Sequence, residues 1–119
     1  MTGKEAKVRT ITLTGRAPVR IREDQWPQIA HGNWGDNAAI PSQSNRGCDI
    51  RVRQHADGRA VVYATSWTQW QGERGWSGGE LLSAGADIAT AIERVAEEGG
   101  LSDVAVRECI ADLPAEELR

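Results

Sequence analysis

Side chains able to do covalent or acid–base chemistry are few and scattered in this sequence. The two cysteines, Cys48 and Cys109, lie 61 positions apart, and the two histidines are His31 and His55. A thiolate nucleophile needs an imidazole within hydrogen-bond reach. Cys48 and His55 share an expected strand but are seven positions apart, so they face opposite sides. Cys109 falls on an apolar helical stripe, the setting of an inert buried thiol. Neither histidine stands at metal-ligand spacing from the other or from a cysteine. The carboxylate pairs Glu23 with Asp24, Glu97 with Glu98 and Glu116 with Glu117 are chain neighbours, and neighbouring side chains on a helix do not face each other across a substrate. Gly-rich pieces such as "GERGWSGGE" lack the Lys-Ser/Thr ending of a phosphate loop, and no GxGxxG joins a strand to a helix. No catalytic residue, cofactor or metal is therefore expected. A small enzyme with an unrecognised site remains the alternative, and it would need a pocket joining Cys48, His31 or His55 to a carboxylate.

What the sequence concentrates is recognition chemistry. "WTQWQGERGW", Trp67 to Trp76, holds three of the five tryptophans of a chain with no Phe and one Tyr. Trp and Arg are the residue types that dominate interface energetics, so the expected partner-binding surface is Arg51, Arg53, Trp67, Trp70, Arg74 and Trp76. Strand alternation puts Trp67 and Trp70 on opposite faces, one toward the core and the other beside the arginines. The competing reading folds all three indoles back as a satellite core, with the loop glycines at positive φ. Arg51, Arg53 and Arg59 near tryptophans also suit a nucleic-acid platform, phosphates on guanidinium groups and bases on indoles. Against that stand the missing RNP-like aromatics and an acidic chain, net charge -3.

The elements that must carry these residues follow from pattern. "VRTITL" (Val8 to Leu13) alternates as a strand and "TGRAP" turns it; "VRI" after Pro18 is a second short extended piece. Glu23 and Asp24 ahead of Trp26 and Ile29 predict a short helix from about Glu23 to Ala30, with Pro27 tolerated in its first turn. "HGNWGDNAAIPSQSNRG" has the composition of a long loop. "CDIRVRQH", Asp57-Gly58 and "RAVVYATSW" predict a β-hairpin closed by a type I′ turn, Cys48, Ile50 and Val52 on one face and Asp49, Arg51 and Arg53 on the other. "SGGELLSAG" reads as turn and short extended structure. Ile88, Ala91, Ile92, Val95 and Ala96 recur at helical spacing between a capping Asp87 and Gly99-Gly100. Ser102 or Asp103 caps a last helix with Val106, Cys109, Ile110 and Leu113 inward and Pro114 beyond its end. The expected fold is α+β: a small antiparallel sheet with a central β-hairpin, one face covered by two C-terminal helices.

A chain of 119 residues fits one domain, 1–119, with about 1–6 and 115–119 flexible. Hydrophobic residues at 39% and charged ones at 26% are globular proportions. No run reaches the roughly 18 apolar residues of a membrane span and no signal peptide is evident, so a cytoplasmic location away from membranes is expected. Charge is uneven: Met1 to Gly79 carries 11 Lys and Arg against 7 Asp and Glu, whereas Glu80 to Arg119 carries 3 against 10. The segments "ITLTGRAPVRI", "RVRQHADGRAVVY", "WQGERGWSGGELL" and "CIADLPAEEL" together resemble a group of small uncharacterised proteins of proteobacterial chromosomes and mobile elements. The resemblance implies a bacterial cytoplasmic setting and a protein that binds host machinery; it implies no activity, cofactor or catalytic residue. The leading expectation is a non-enzymatic accessory or inhibitory factor with a protein partner, possible homodimerisation through the same surface, and nucleic acid as the alternative partner.

Overall fold

The computed structural model describes residues 7–37 and 39–115; the expected flexible ends, 1–6 and most of 115–119, lie outside them. Four strands form an antiparallel meander in chain order: β3 (Gln28–Gly35), β4 (Arg46–Gln54), β5 (Ala60–Thr68) and β6 (Trp76–Leu82). The helices α1 (Ile88–Gly99) and α2 (Asp103–Asp112) follow. Ahead of the meander, β1 (Val8–Ile11) and β2 (Val19–Arg22) pair as a separate two-stranded ribbon. The fold is α+β, as its pattern predicts.

The helices form where the caps direct. The Asp87 side chain accepts from the Thr90 N–H and Gly100 closes α1 at φ +62°, a left-handed position that glycine enters without strain. Ser102 caps α2 through the Val104 N–H. Ala91, Ile92, Val95, Ala96, Ala105 and Cys109 are buried against Ala30, Ile50, Val52, Val62 and Ala64, which makes the main core. Gly32 sets how closely α2 approaches: a Cβ there would lie 2.1 Å from the Ala105 carbonyl oxygen.

Three expectations are corrected. Glu23 to Ala30 is no helix. Gln25 and Trp26 donate to the Arg22 carbonyl in one turn; Pro27 then has no N–H to offer, and the chain extends into β3. The expected loop from His31 is strand as far as Gly35, with Ala30, Gly32 and Trp34 toward the helices and His31 and Asn33 away from them. The hairpin does form, with Arg46↔Thr68 and Gln54↔Ala60 at its limits, but its turn is not type I′. Gly58 alone has positive φ (+96°), Gly58 N–H bonds the His55 carbonyl and His55 N–H bonds the Arg59 carbonyl, a type I turn closed by a glycine bulge.

The outer face of the sheet is also partly covered. The ribbon lies over the end where β5 starts, and Ile11, Leu13, Ile21 and Trp26 bury Val61 in a second core bordered by Tyr63 and Leu81. Thr14 fastens it to β6: its N–H donates to the Gly79 carbonyl at 2.9 Å and its hydroxyl accepts from the Gly79 N–H at 3.2 Å. The other end of that face stays open.

Candidate functional site

The tryptophan decapeptide spans the end of β5, a loop and the start of β6, and its three indoles meet three different environments. Trp67 points to the outer face opposite Gly47, where its six-membered ring occupies the space a Cβ would take, 2.4 Å from the Cβ position, and it stays 40% exposed. Trp70, in the loop, is 52% exposed. Trp76 turns toward the helices. Its ring fills the Cβ positions of both Gly78 and Gly99, each 2.5 Å from ring atoms, and it packs on the main core. The satellite-core reading fits Trp76, which packs on the main core, whereas Trp67 and Trp70 are left to solvent.

Glu73 organises the loop. Its carboxylate accepts from Arg46 Nε at 3.1 Å, from Arg46 Nη2 at 2.8 Å and from the Thr68 hydroxyl at 2.9 Å, and Thr68 Oγ1 accepts from the Trp70 N–H at 3.1 Å. Those bonds, from Thr68 first and Arg46 next, hold the Glu73 carboxyl below its ordinary pKa. The Arg46 guanidinium also stands 5.9 Å from the Trp70 ring centroid, within cation–π range. Between this loop and the corner joining α1 to α2 is a cleft of about 200 Å³, lined by Arg46, Trp67, Glu73, Arg74, Leu101 and Ser102 among others. Arg74 forms no ion pair among the described residues.

The arginine strip expected on the hairpin is spoken for internally. Arg53 is buried beneath the ribbon, a correction to its expected place on a free surface. It donates Nε to the Tyr63 hydroxyl at 2.9 Å and Nη1 to the Trp26 carbonyl at 3.0 Å, with Glu23 3.8 Å from Nη2. Arg51 donates Nε to Asp49 Oδ2 at 2.7 Å and Nη1 to Gln28 Oε1 at 3.1 Å. The Asp49 bond pushes the Arg51 pKa further up, and His31 Nε2 bonds the other Asp49 oxygen. Arg59 pairs with Asp57 at 2.8 Å and covers the Trp26 ring at 5.1 Å.

Of the six expected residues, then, Trp67, Trp70 and Arg74 share one corner, Arg51 lies in a polar network on the open sheet face, and Arg53 and Trp76 are structural. Sequence reasoning missed Arg46, Glu73 and the His31, Asp49, Arg51 chain. The hairpin register alone held the signal, since it places Arg46 beside Thr68 and Gly47 beside Trp67.

Both thiols are buried. Burial, and secondarily the Asp112 carboxylate, pushes Cys109 up to about 12, and burial also raises Cys48; neither is a thiolate at neutral pH. Among the described residues, no group of three His, Cys, Asp or Glu side chains is placed to hold a metal ion, and no helix is long and apolar enough to cross a membrane. No protein-family model, curated protein or solved structure matches this chain. The corner brings together two exposed indoles, an arginine without an ion pair among the described residues, and a cleft beside the turn between the helices.

Proposed function

We propose that this protein is a non-enzymatic protein-binding factor, accessory or inhibitory to a bacterial cytoplasmic complex, and that Trp67, Trp70 and Arg74 contact the partner with Arg46 behind them. The observation carrying the proposal is the pair of indoles left 40% and 52% exposed at one corner, beside an arginine that forms no ion pair among the described residues. Exposed Trp and Arg on a braced surface are the composition of an interface centre, where a few such residues supply most of the affinity. The loop bonds through Glu73 hold Trp70 in place before binding, which lowers the ordering cost of association. The nucleic-acid alternative rests on Arg51 and Arg53, whose guanidinium groups are engaged by Asp49, Gln28, Tyr63 and the Trp26 carbonyl.

The test is retention from nuclease-treated bacterial lysate on immobilised wild type and on Trp70→Ala/Arg74→Ala, with circular dichroism as the check on folding. A specific protein held by the wild type and lost by a folded double variant supports the proposal. Equal retention on both refutes it. Light scattering separates self-association through the same corner, for which the wild type would be dimeric and the double variant monomeric.

A further inference from the structure

The ribbon stops short of covering the sheet, and the uncovered half of the outer face carries a groove whose lining mixes polar groups with apolar surface. A groove of about 640 Å³ crosses it, with Asn33, Asn37, Asp49, Arg51, Thr65 and Trp67 along it, and continues round the β3 edge to Glu108 of α2. It shares Asp49, Arg51 and Thr65 with a smaller cavity of about 140 Å³ that reaches Thr10 and Thr12 of the ribbon and Ser77 of β6. The larger volume lies within the roughly 300 to 1,000 Å³ of small-molecule sites. We propose that this groove binds a saccharide unit, a neutral polyhydroxylated ring stacked on the Trp67 indole.

Three observations lead to that ligand class. Trp67 is fixed: its ring rests on Gly47, where any Cβ would collide at 2.4 Å, so one side of the indole is seated on the β4 backbone while the side chain stays 40% exposed. A platform that is already immobile gives stacking without a further ordering cost. The polar groups beside it are fixed as well. Asp49 is held from both sides, by His31 and by Arg51, Arg51 is tied to Gln28, and the Thr65 and Ser77 hydroxyls bond each other at 3.2 Å. Carboxylate, amide and hydroxyl groups together both accept and donate, which matches ligand hydroxyls that do both. Charge then decides between flat ligands. Among the described residues lining the groove, Arg51 is the one cation, neutralised by Asp49, and Glu108 adds a further negative charge. A nucleic-acid strand laid along the groove from the same indole would bring phosphates to a lining with no free cation among the described residues; Arg74 lines the neighbouring cleft instead. A neutral ring brings hydroxyls, which carboxylates and amides satisfy.

The inference does not depend on the partner-binding proposal, although Trp67 borders both sites. The experiment is a titration of the ¹⁵N-labelled full chain with glucose, galactose and N-acetylglucosamine, with their linear trisaccharides, and with an oligothymidylate. Expected are saturable shifts at the Asn33, Gly47 and Thr65 amides and the Trp67 indole N–H for at least one sugar. Affinity falls tenfold or more in Trp67→Ala and in Asn33→Ala/Thr65→Val, and survives in Trp67→Phe. A trisaccharide binding more tightly than its monosaccharide marks a glycan chain as the source; equal affinities mark a free sugar. Absence of shifts with every sugar up to tens of millimolar, or shifts at these amides with oligothymidylate alone, overturns the proposal. Trp70→Ala/Arg74→Ala leaves the sugar shifts unchanged while removing partner retention, so the two proposals fail separately.

Discussion

Gly99→Ala sets two physical effects of opposite sign against each other. Gly99 is the last residue of α1, and replacing a helical glycine with alanine favours the helix by up to about 1 kcal/mol. The added Cβ, however, would lie 2.5 Å from two ring carbons of Trp76, about 1 Å inside the ~3.5 Å contact distance of carbon atoms. Trp76 has no room to withdraw, because the same ring already fills the Cβ space of Gly78 from the other side. Overpacking of this kind costs about 1 to 3 kcal/mol, so the net expectation is a loss of about 1 kcal/mol. For a domain of this length that is a fall in Tm of about 3 to 5 °C. Urea and thermal unfolding followed by far-ultraviolet circular dichroism measure it, with an unchanged m-value confirming that stability alone has moved. The decisive control is the cycle with Trp76→Leu: once the ring is gone, Gly99→Ala should become stabilising, a coupling that only direct contact produces. A higher Tm for Gly99→Ala in the wild-type background, or simple additivity in the cycle, would refute the packing argument.

The remaining expectations are briefer. Gly32→Ala places its Cβ 2.1 Å from a backbone oxygen of α2, where no side-chain rotation can relieve it, and should cost about 3 kcal/mol or more in urea unfolding. Arg53→Met strands the Trp26 carbonyl and the Tyr63 hydroxyl beneath the ribbon and should lose about 2 to 4 kcal/mol by the same assay. Glu23, Asp57, Glu73 and Asp87 all have folded-state pKa values below their ordinary ones, through hydrogen bonds to Arg9, the Arg59 N–H, Thr68 and Thr90 respectively. Their stabilisation is complete above the unfolded carboxylate range and disappears as pH falls through the lowered values, so the urea midpoint should hold steady from pH 7 to about 5 and drop below about 4. With Cys109 pushed up to about 12, iodoacetamide at pH 8 should leave it unmodified in native buffer and alkylate it in urea, as peptide mass spectrometry would show.

Elements with a strong period and explicit punctuation were legible. α1 and α2 announce themselves by apolar residues at helical spacing between Asp87 and Gly100 and after Ser102, and the central hairpin by Asp57-Gly58 between alternating runs. β3 was not legible, because two of its eight residues are glycines that carry no hydrophobic signal; Gly32 faces inward for the sake of the α2 backbone, a reason that exists only in three dimensions. The second core did leave a trace. Ala60, Val61 and Val62 are consecutive and all buried, and a continuous apolar run is the mark of a strand covered on both faces. Reading β5 as a one-sided strand put Arg53 on a free surface when it lies under the ribbon. The candidate corner was legible in residue type but not in membership: Trp67, Trp70 and Arg74 are there, whereas Arg46 and Glu73 arrive through strand register and loop closure.

The position of both proposed surfaces follows from how β5 changes along its length. Its first residues, Ala60 to Val62, lie between two layers and anchor the sheet to helices on one side and ribbon on the other. From Thr65 onward the outer face carries Thr65 and the half-exposed Trp67 in place of buried residues, the ribbon has turned aside to β6, and the sheet continues as a half-covered extension. Such an extension could not hold itself flat by burial alone, and it is braced instead by polar cross-links: Asp49 to His31 and Arg51, Thr65 to Ser77, Glu73 to Arg46 and Thr68. These bonds are individually weak in solvent, so the doubly covered end must supply most of the stability. Substitutions in the open half can then alter recognition without unfolding the chain. If the proposals hold, that separation lets a loss of binding in Trp70→Ala/Arg74→Ala be read as loss of contact, while Trp67→Ala, whose ring rests on Gly47, is read alongside its stability.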